Sequence, residues 1–130
     1  MADMQALLKK KRIEIEVTNS MIKDIESNFD IQSHIVKNPT STYFMRVGSD
    51  AMIDSGIHPG DKLAVDKALP PKHKDIVVSV SNGQFLIRRL YALHGLIELR
   101  ADNENCPSIS YNSIEEVDIW GVVVGVVRKL

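Results

Sequence analysis

Only one of the 130 residues is a cysteine, Cys106, and that scarcity excludes two classes of protein at once. No disulfide can close within the chain and no cysteine-rich metal site can form, as expected for a reducing cytoplasm. Aromatic residues are also scarce, at 5% of the chain, so aliphatic side chains carry the hydrophobicity. The formal net charge is only −1, and no overall field advertises a nucleic-acid or membrane partner. Partners are expected to be recognised by shape and local patches, with little direct sequence-specific DNA binding. The longest uncharged apolar stretch, Ile119 to Val127, is interrupted by Gly121 and Gly125. It falls far short of the roughly 20 residues needed to span a bilayer. Residues 1 to 17 have charges mixed through them and no continuous apolar core, so they do not read as a secretory signal.

Metal and nucleotide chemistry also lack their usual sequence marks. His34, His58, His73 and His94 show no ligand spacing, and no two stand at the i, i+4 separation of zinc-binding helices. Gly56 to Gly60 lacks the Lys-Ser/Thr ending of a phosphate loop. Asp50, Asp54, Asp61 and Asp75 border turns, where carboxylates bond local amides rather than form an acid/base pair. Cys106 reads as a small, half-buried apolar residue. No cofactor and no metal are expected.

What is present is one domain's worth of chain with a short arm. We expect a flexible arm over residues 1–29 and the domain over residues 30–130. The arm is rich in helix formers to the basic run Lys9-Lys10-Lys11-Arg12, followed by the alternating Ile13-Glu14-Ile15-Glu16-Val17. It reads as mobile or partner-dependent, with the basic run a solvated face. Asp30 can cap a short helix through Ile31, His34 and Ile35, which Pro39 stops by disfavouring helix at Asn38. Strands then follow at Thr42 to Val47, Lys62 to Val65, Asp75 to Val80, Gln84 to Leu90, Leu96 to Arg100, Ile109 to Tyr111 and Val117 to Val127. Pro59-Gly60-Asp61 marks a tight turn, and Asn82-Gly83 favours a hairpin with positive φ. Short, regularly spaced strands of this kind predict a mostly β fold, a coiled antiparallel sheet with a short N-terminal helix and arm.

Several of these segments, taken together, resemble one family. Thr42-Tyr43-Phe44-Met45-Arg46-Val47-Gly48-Ser49-Asp50-Ala51-Met52-Ile53-Asp54, Pro59-Gly60-Asp61, Leu63-Ala64-Val65-Asp66, Asp75-Ile76-Val77-Val78, Asn82-Gly83-Gln84-Phe85 and Trp120-Gly121-Val122-Val123 are similar to the UmuD branch of the LexA-like (S24) autoproteases. The resemblance covers roughly Asp30 to Lys129 and is to the shortened, self-processed form. In that family the residue before the Met-Ile-Asp triplet is the serine nucleophile, and here it is Ala51. The family's general-base lysine lies on the strand after the hairpin, two residues before a leucine, and that place holds Arg88. Alanine has no hydroxyl, and a guanidinium with a pKa above about 12 does not surrender its proton in a protein. The resemblance therefore implies the fold without the activity. Ser49 would share a face with Ala51 on an extended strand, but Arg88 cannot activate it either.

The family cuts its own arm at an Ala-Gly or Cys-Gly bond, and the first glycine here is Gly48. The resemblance then implies a homodimeric, non-catalytic accessory subunit of a Y-family lesion-bypass polymerase of the UmuC type in the SOS response. A RecA filament is a further partner in that setting. Self-association is assigned to the hairpin residues Val78 and Phe85 and to Val117, Ile119, Val122 and Val124 of the last strand, for which core filling is the competing account. Two rivals stand beside this reading. One is a serine/lysine autoprotease whose residues at 51 and 88 have been substituted, and the other is the dimerisation domain, or a decoy, of a phage-type repressor. Residues 1 to 38 contain no convincing helix-turn-helix, which counts against a DNA-binding repressor but not against a decoy.

Overall fold

A computed structural model describes residues 26–130. The basic run 9–12, the alternating segment 13–17 and most of the expected arm lie outside the described residues. The chain divides between His34 and Ile35 into two units. At the end of the first, Asp30 opens the short helix α1, Ile31–Ile35. Its carboxylate accepts the Gln32 amide at 3.1 Å and the Ser33 hydroxyl at 2.6 Å, while its carbonyl accepts the His34 amide. Those bonds satisfy donors that have no partner within a helix's first turn.

The second unit holds seven strands: β1 Thr42–Arg46, β2 Lys62–Asp66, β3 Ile76–Ser81, β4 Gln84–Leu93, β5 Leu96–Arg100, β6 Ile109–Tyr111 and β7 Ile119–Val127. They form one sheet in the order β1-β2-β7-β3-β4-β5-β6, with antiparallel pairing throughout. The expected mostly β, LexA/UmuD-like antiparallel architecture is what the chain adopts. The last strand in sequence joins the β1–β2 pair to the β3–β6 meander. Its approach to β2 needs Gly121, because a Cβ there would lie 2.7 Å from Val65 Cγ1 and 3.1 Å from the Asp66 carbonyl oxygen. The register slips between Ala64 and Val65 and between Val78 and Ser79, on either side of β7. Such irregularities add local twist, which coils the sheet.

Asn82 and Gly83 have φ of 51° and 76°, as the hairpin between β3 and β4 requires. His94 and Gly95 repeat the device at 53° and 78°. They close a second hairpin, so β4 runs three residues past the expected Leu90 and pairs as far as Leu93 with Leu96. At the other end, β7 begins at Ile119 instead of Val117. Residues Ile114–Glu116 form a 3₁₀ turn, and the Val117 amide closes it on the Ile114 carbonyl.

Alternation along the strands builds two cores. Neighbouring Val77 and Val78 project to opposite faces. Val78 packs with Val47, Met52, Ile57, Leu63, Val65 and Ile87. Val77 packs with Leu90, Leu99, Val117 and Val122.

Two buried carboxylates tie the loops to this sheet. Asp66, at the end of β2, accepts hydrogen bonds from Asn38 Nδ2, the Ser41 hydroxyl and the Ala68 amide, each at 2.8 Å. Asp61 accepts the His58 amide at 2.8 Å and both Nε and Nη2 of Arg128, at 2.6 and 2.7 Å. The second arrangement joins the turn before β2 to the residue following β7. The Arg128 bonds, with the His58 amide behind them, hold the Asp61 carboxyl below its ordinary value of 3.8. A depressed carboxylate pKa stabilises the fold above the unfolded value and loses that contribution as pH falls through the folded one. Asp61→Asn is therefore expected to melt below the parent chain at pH 7, with the gap narrowing once pH falls below the ordinary value. Thermal unfolding of both proteins between pH 7 and pH 2.5 checks this, and a gap independent of pH would rule out the ionic origin.

Candidate functional site

The segment between β1 and β2 turns sharply after Val47 and passes through a 3₁₀ turn at Ile53–Ser55. Ser49 lies in a bend after β1, as an ordinary turn serine, and not on the extended strand that would give it a shared face with Ala51. The Ala51 amide lies 3.5 Å from the Ser49 hydroxyl, a local turn contact, so the two residues do not alternate along a strand. Ala51 is buried, at 2% exposure.

This segment is held against the β5–β6 connection. The Asp54 amide donates to the Asp102 carbonyl at 2.8 Å, and Asn103 Nδ2 donates to the Asp50 carbonyl at 3.0 Å. Arg89 of β4 clamps both loops. Its Nε donates to Asp102 at 3.1 Å, Nη2 to the Ser55 hydroxyl at 3.1 Å and Nη1 to the Lys74 carbonyl at 2.8 Å. The Ser55 hydroxyl donates in turn to Asp102. A fork of planar donors suits this task, since each bond fixes a different strand or loop. Sequence reasoning missed Arg89, Asp102 and Asp66, because their side-chain partners lie 13 to 47 residues away and no local spacing marks them.

The clamp positions Ala51 across from β4, and a cleft of about 320 Å³ opens between them. Ala51 and Arg88 both line it, as do Ser49, Asp50 and Cys106. The structure thus gathers the two positions singled out in the sequence. An alanine methyl offers no nucleophile, and the Arg88 guanidinium offers no basic nitrogen lone pair. Arg88 donates through Nη1 to the Ile87 carbonyl at 2.8 Å. Cys106 is half-buried in the cleft wall.

The residues assigned to self-association separate into two groups. Val78, Val117 and Val122 are buried among the two cores, and Ile119 and Val124 are half-buried. Phe85 is 59% exposed. It meets Trp120 edge to face at 5.8 Å, and Trp120 meets Tyr43 at 5.3 Å with Lys67 Nζ 4.6 Å from the indole centroid. This aromatic group, with Tyr43 and Phe85 exposed and Trp120 half-buried against the first core, draws on strands β1, β4 and β7, so no periodicity along any one of them reveals it. Among the described residues no three His, Cys, Asp or Glu side chains converge as a metal site, and no helix is long and apolar enough to cross a membrane.

The chain belongs to the Peptidase S24-like family, which it matches over residues 9–124. It is similar to Protein SamA of Salmonella typhimurium, with 35% identity over 104 residues, 80% of this chain and 71% of that protein. Protein MucA of Escherichia coli is 35% identical over 99 residues, 75% of this chain and 67% of its own. The LexA repressor of Clostridium kluyveri is 26% identical over 129 residues, 93% of this chain and 62% of the repressor. The resemblance to LexA-like and UmuD-like proteins is borne out.

Proposed function

We propose that the chain is a non-catalytic, UmuD-like accessory subunit of a Y-family translesion DNA polymerase, acting as a homodimer in SOS mutagenesis in the cytoplasm. The observation that carries this reading is the meeting of Ala51 and Arg88 in one cleft. The family resemblance assigns those places to nucleophile and general base, and neither side chain can do that work. Similarity to SamA and MucA supports the UmuD branch. On this reading the partners are a second copy and a UmuC-like polymerase, with the RecA filament the wider setting, and the domain is the part from residue 30 to 130. Capture of partners by the tagged chain from DNA-damaged cells tests it. A Y-family polymerase in the eluate is the expected result. The extended similarity to a LexA repressor favours a second reading, a repressor's pairing domain or decoy. A repressor recovered in place of the polymerase would select that alternative.

Self-association is proposed to use the exposed Phe85, together with the half-buried Ile119 and Val124 of β7, while Val78, Val117 and Val122 are buried in the cores and contribute as packing. Phe85→Glu should weaken the dimer at least tenfold, because a large exposed aromatic is replaced by a charge. Light scattering across a dilution series should show twice the chain mass for the parent and a single chain for the variant. Since Phe85 is exposed, the circular-dichroism spectrum should not change. A parent that is monomeric at tens of micromolar would rule out the dimer.

A further inference from the structure

Arg88 and Arg89 are adjacent on β4 but differ in how far they are engaged. Arg89 has hydrogen bonds from Nε, Nη1 and Nη2 to three separate residues. Among the described residues, Arg88 donates only from Nη1, to the carbonyl of the residue before it. Its Nε is buried without a hydrogen-bond partner, and among the described residues no carboxylate forms an ion pair with it. A guanidinium presents five donors in a planar fork that matches a carboxylate in two-pronged geometry. A buried, unsatisfied donor on a charged group is unfavourable, and an anionic acceptor gains by pairing with the guanidinium charge.

The surroundings narrow the choice of anion. The cleft that Arg88 lines is walled by Met45, Val47, Leu63, Val78, Phe85 and Ile87. Its charged lining residues are Arg46, Asp50 and Arg88, one net positive charge. A phosphate monoester would bring about −1.5 to −2 charges into a cleft whose lining carries one net positive charge, beside the Asp50 carboxylate. A carboxylate brings one. The volume of about 320 Å³ lies at the small end of ligand pockets and suits a body of about three residues.

We infer that this cleft binds a free carboxylate carried on a short apolar body, with Arg88 as the anchor of the charged end. The apolar part of the wall takes the body, and the guanidinium takes the carboxylate as a charge-assisted pair. The carboxylate arises from a polypeptide's C-terminus or from a small aliphatic acid. The inference rests on the non-hydrolytic reading of the same cleft, because the bound ligand must survive there.

Titration calorimetry on the full chain tests it with three probes: acetyl-valyl-alanyl-leucine as the free acid, the same peptide as its carboxamide, and hexanoate. The free acid should bind at least tenfold more tightly than the carboxamide. Arg88→Gln should abolish that preference, while Arg88→Lys should retain part of it. Hexanoate matching the peptide identifies a small acid as sufficient, whereas binding of the peptide acid alone identifies a chain terminus. Equal affinity for acid and carboxamide, or an acid preference that persists in Arg88→Gln, overturns the inference, as does the absence of binding by all three probes. Mass spectrometry of the recovered peptide separates the two proposals: fragments would refute the non-hydrolytic reading, while an acid preference on intact peptide would stand by itself. Thermal unfolding of Arg88→Gln confirms that any loss is measured on folded protein.

Discussion

Ala51→Ser alone is expected to leave the chain unable to cut any peptide, whereas Ala51→Ser combined with Arg88→Lys is expected to cleave, slowly, an arm bearing an Ala-Gly bond supplied in trans. The single change restores a hydroxyl in the cleft that Arg88 also lines. That hydroxyl still faces a guanidinium that stays protonated, so no group removes its proton. Lysine at position 88 differs in kind, because burial among apolar neighbours disfavours its charged form and lowers its pKa. The walls at Leu63, Val78 and Ile87 supply such surroundings. A positioned general base contributes about 10²- to 10⁴-fold, so the double variant should exceed the single one by at least about 10²-fold. The clamp of Arg89, Ser55 and Asp102 remains in both variants and keeps the turn at residue 51 in place. Fragments followed by mass spectrometry at mildly alkaline pH provide the readout. Cleavage by the unmodified chain would overturn the non-catalytic reading. Equal inactivity of single and double variants would remove the assignment of Ala51 and Arg88 as a vacated pair.

The largest loss of stability should come from Leu90→Ala. Leu90 is 1% exposed and packs with Val77, Leu99, Val117 and Val122, so truncation leaves a cavity bounded by β3, β5 and β7. Buried Leu-to-Ala changes cost about 2–5 kcal/mol. In a domain of this size that corresponds to a melting temperature lower by roughly 10–20 °C. Leu93→Ala is the matched control three residues along the same strand, where the side chain is 50% exposed. A surface change of that kind stays within about 0.5 kcal/mol. Calorimetric melts of the two variants give the comparison, and equal melting temperatures would contradict the burial of Leu90.

The residues of the cleft were legible in the sequence to different degrees. Ala51 and Arg88 could be singled out because the family resemblance assigns roles to their places in local motifs, one before Met52-Ile53-Asp54 and the other after the Asn82-Gly83 hairpin. Their meeting in one cleft was not legible, since 36 intervening residues form the β1–β2 connection, β2 and most of a hairpin. Nor was the orphaned Nε of Arg88, which follows from what surrounds the side chain in space. The adjacent pair Arg88 and Arg89 shows the limit well. Both are arginines on one strand, and only the placement of Asp102, Ser55 and the Lys74 carbonyl makes one a clamp and leaves the other available.

Local chemistry alone determined much of the secondary structure here. Asp30 caps its helix through its own neighbours, Asn82-Gly83 turns because those residues tolerate positive φ, and the scarcity of helix-forming runs after Pro39 leaves strands as the alternative. These outcomes depend on interactions within a few residues, so a linear pattern records them. Tertiary structure decided the insertion of β7 between β2 and β3, the extension of β4 to Leu93, the division of Val77 and Val78 between two cores and the grouping of Tyr43, Phe85 and Trp120. Each depends on which strands pair and in what register, which is settled by the simultaneous burial of both faces of the sheet. A polar or aromatic side chain far away in sequence carries no mark of that geometry until the sheet brings it near.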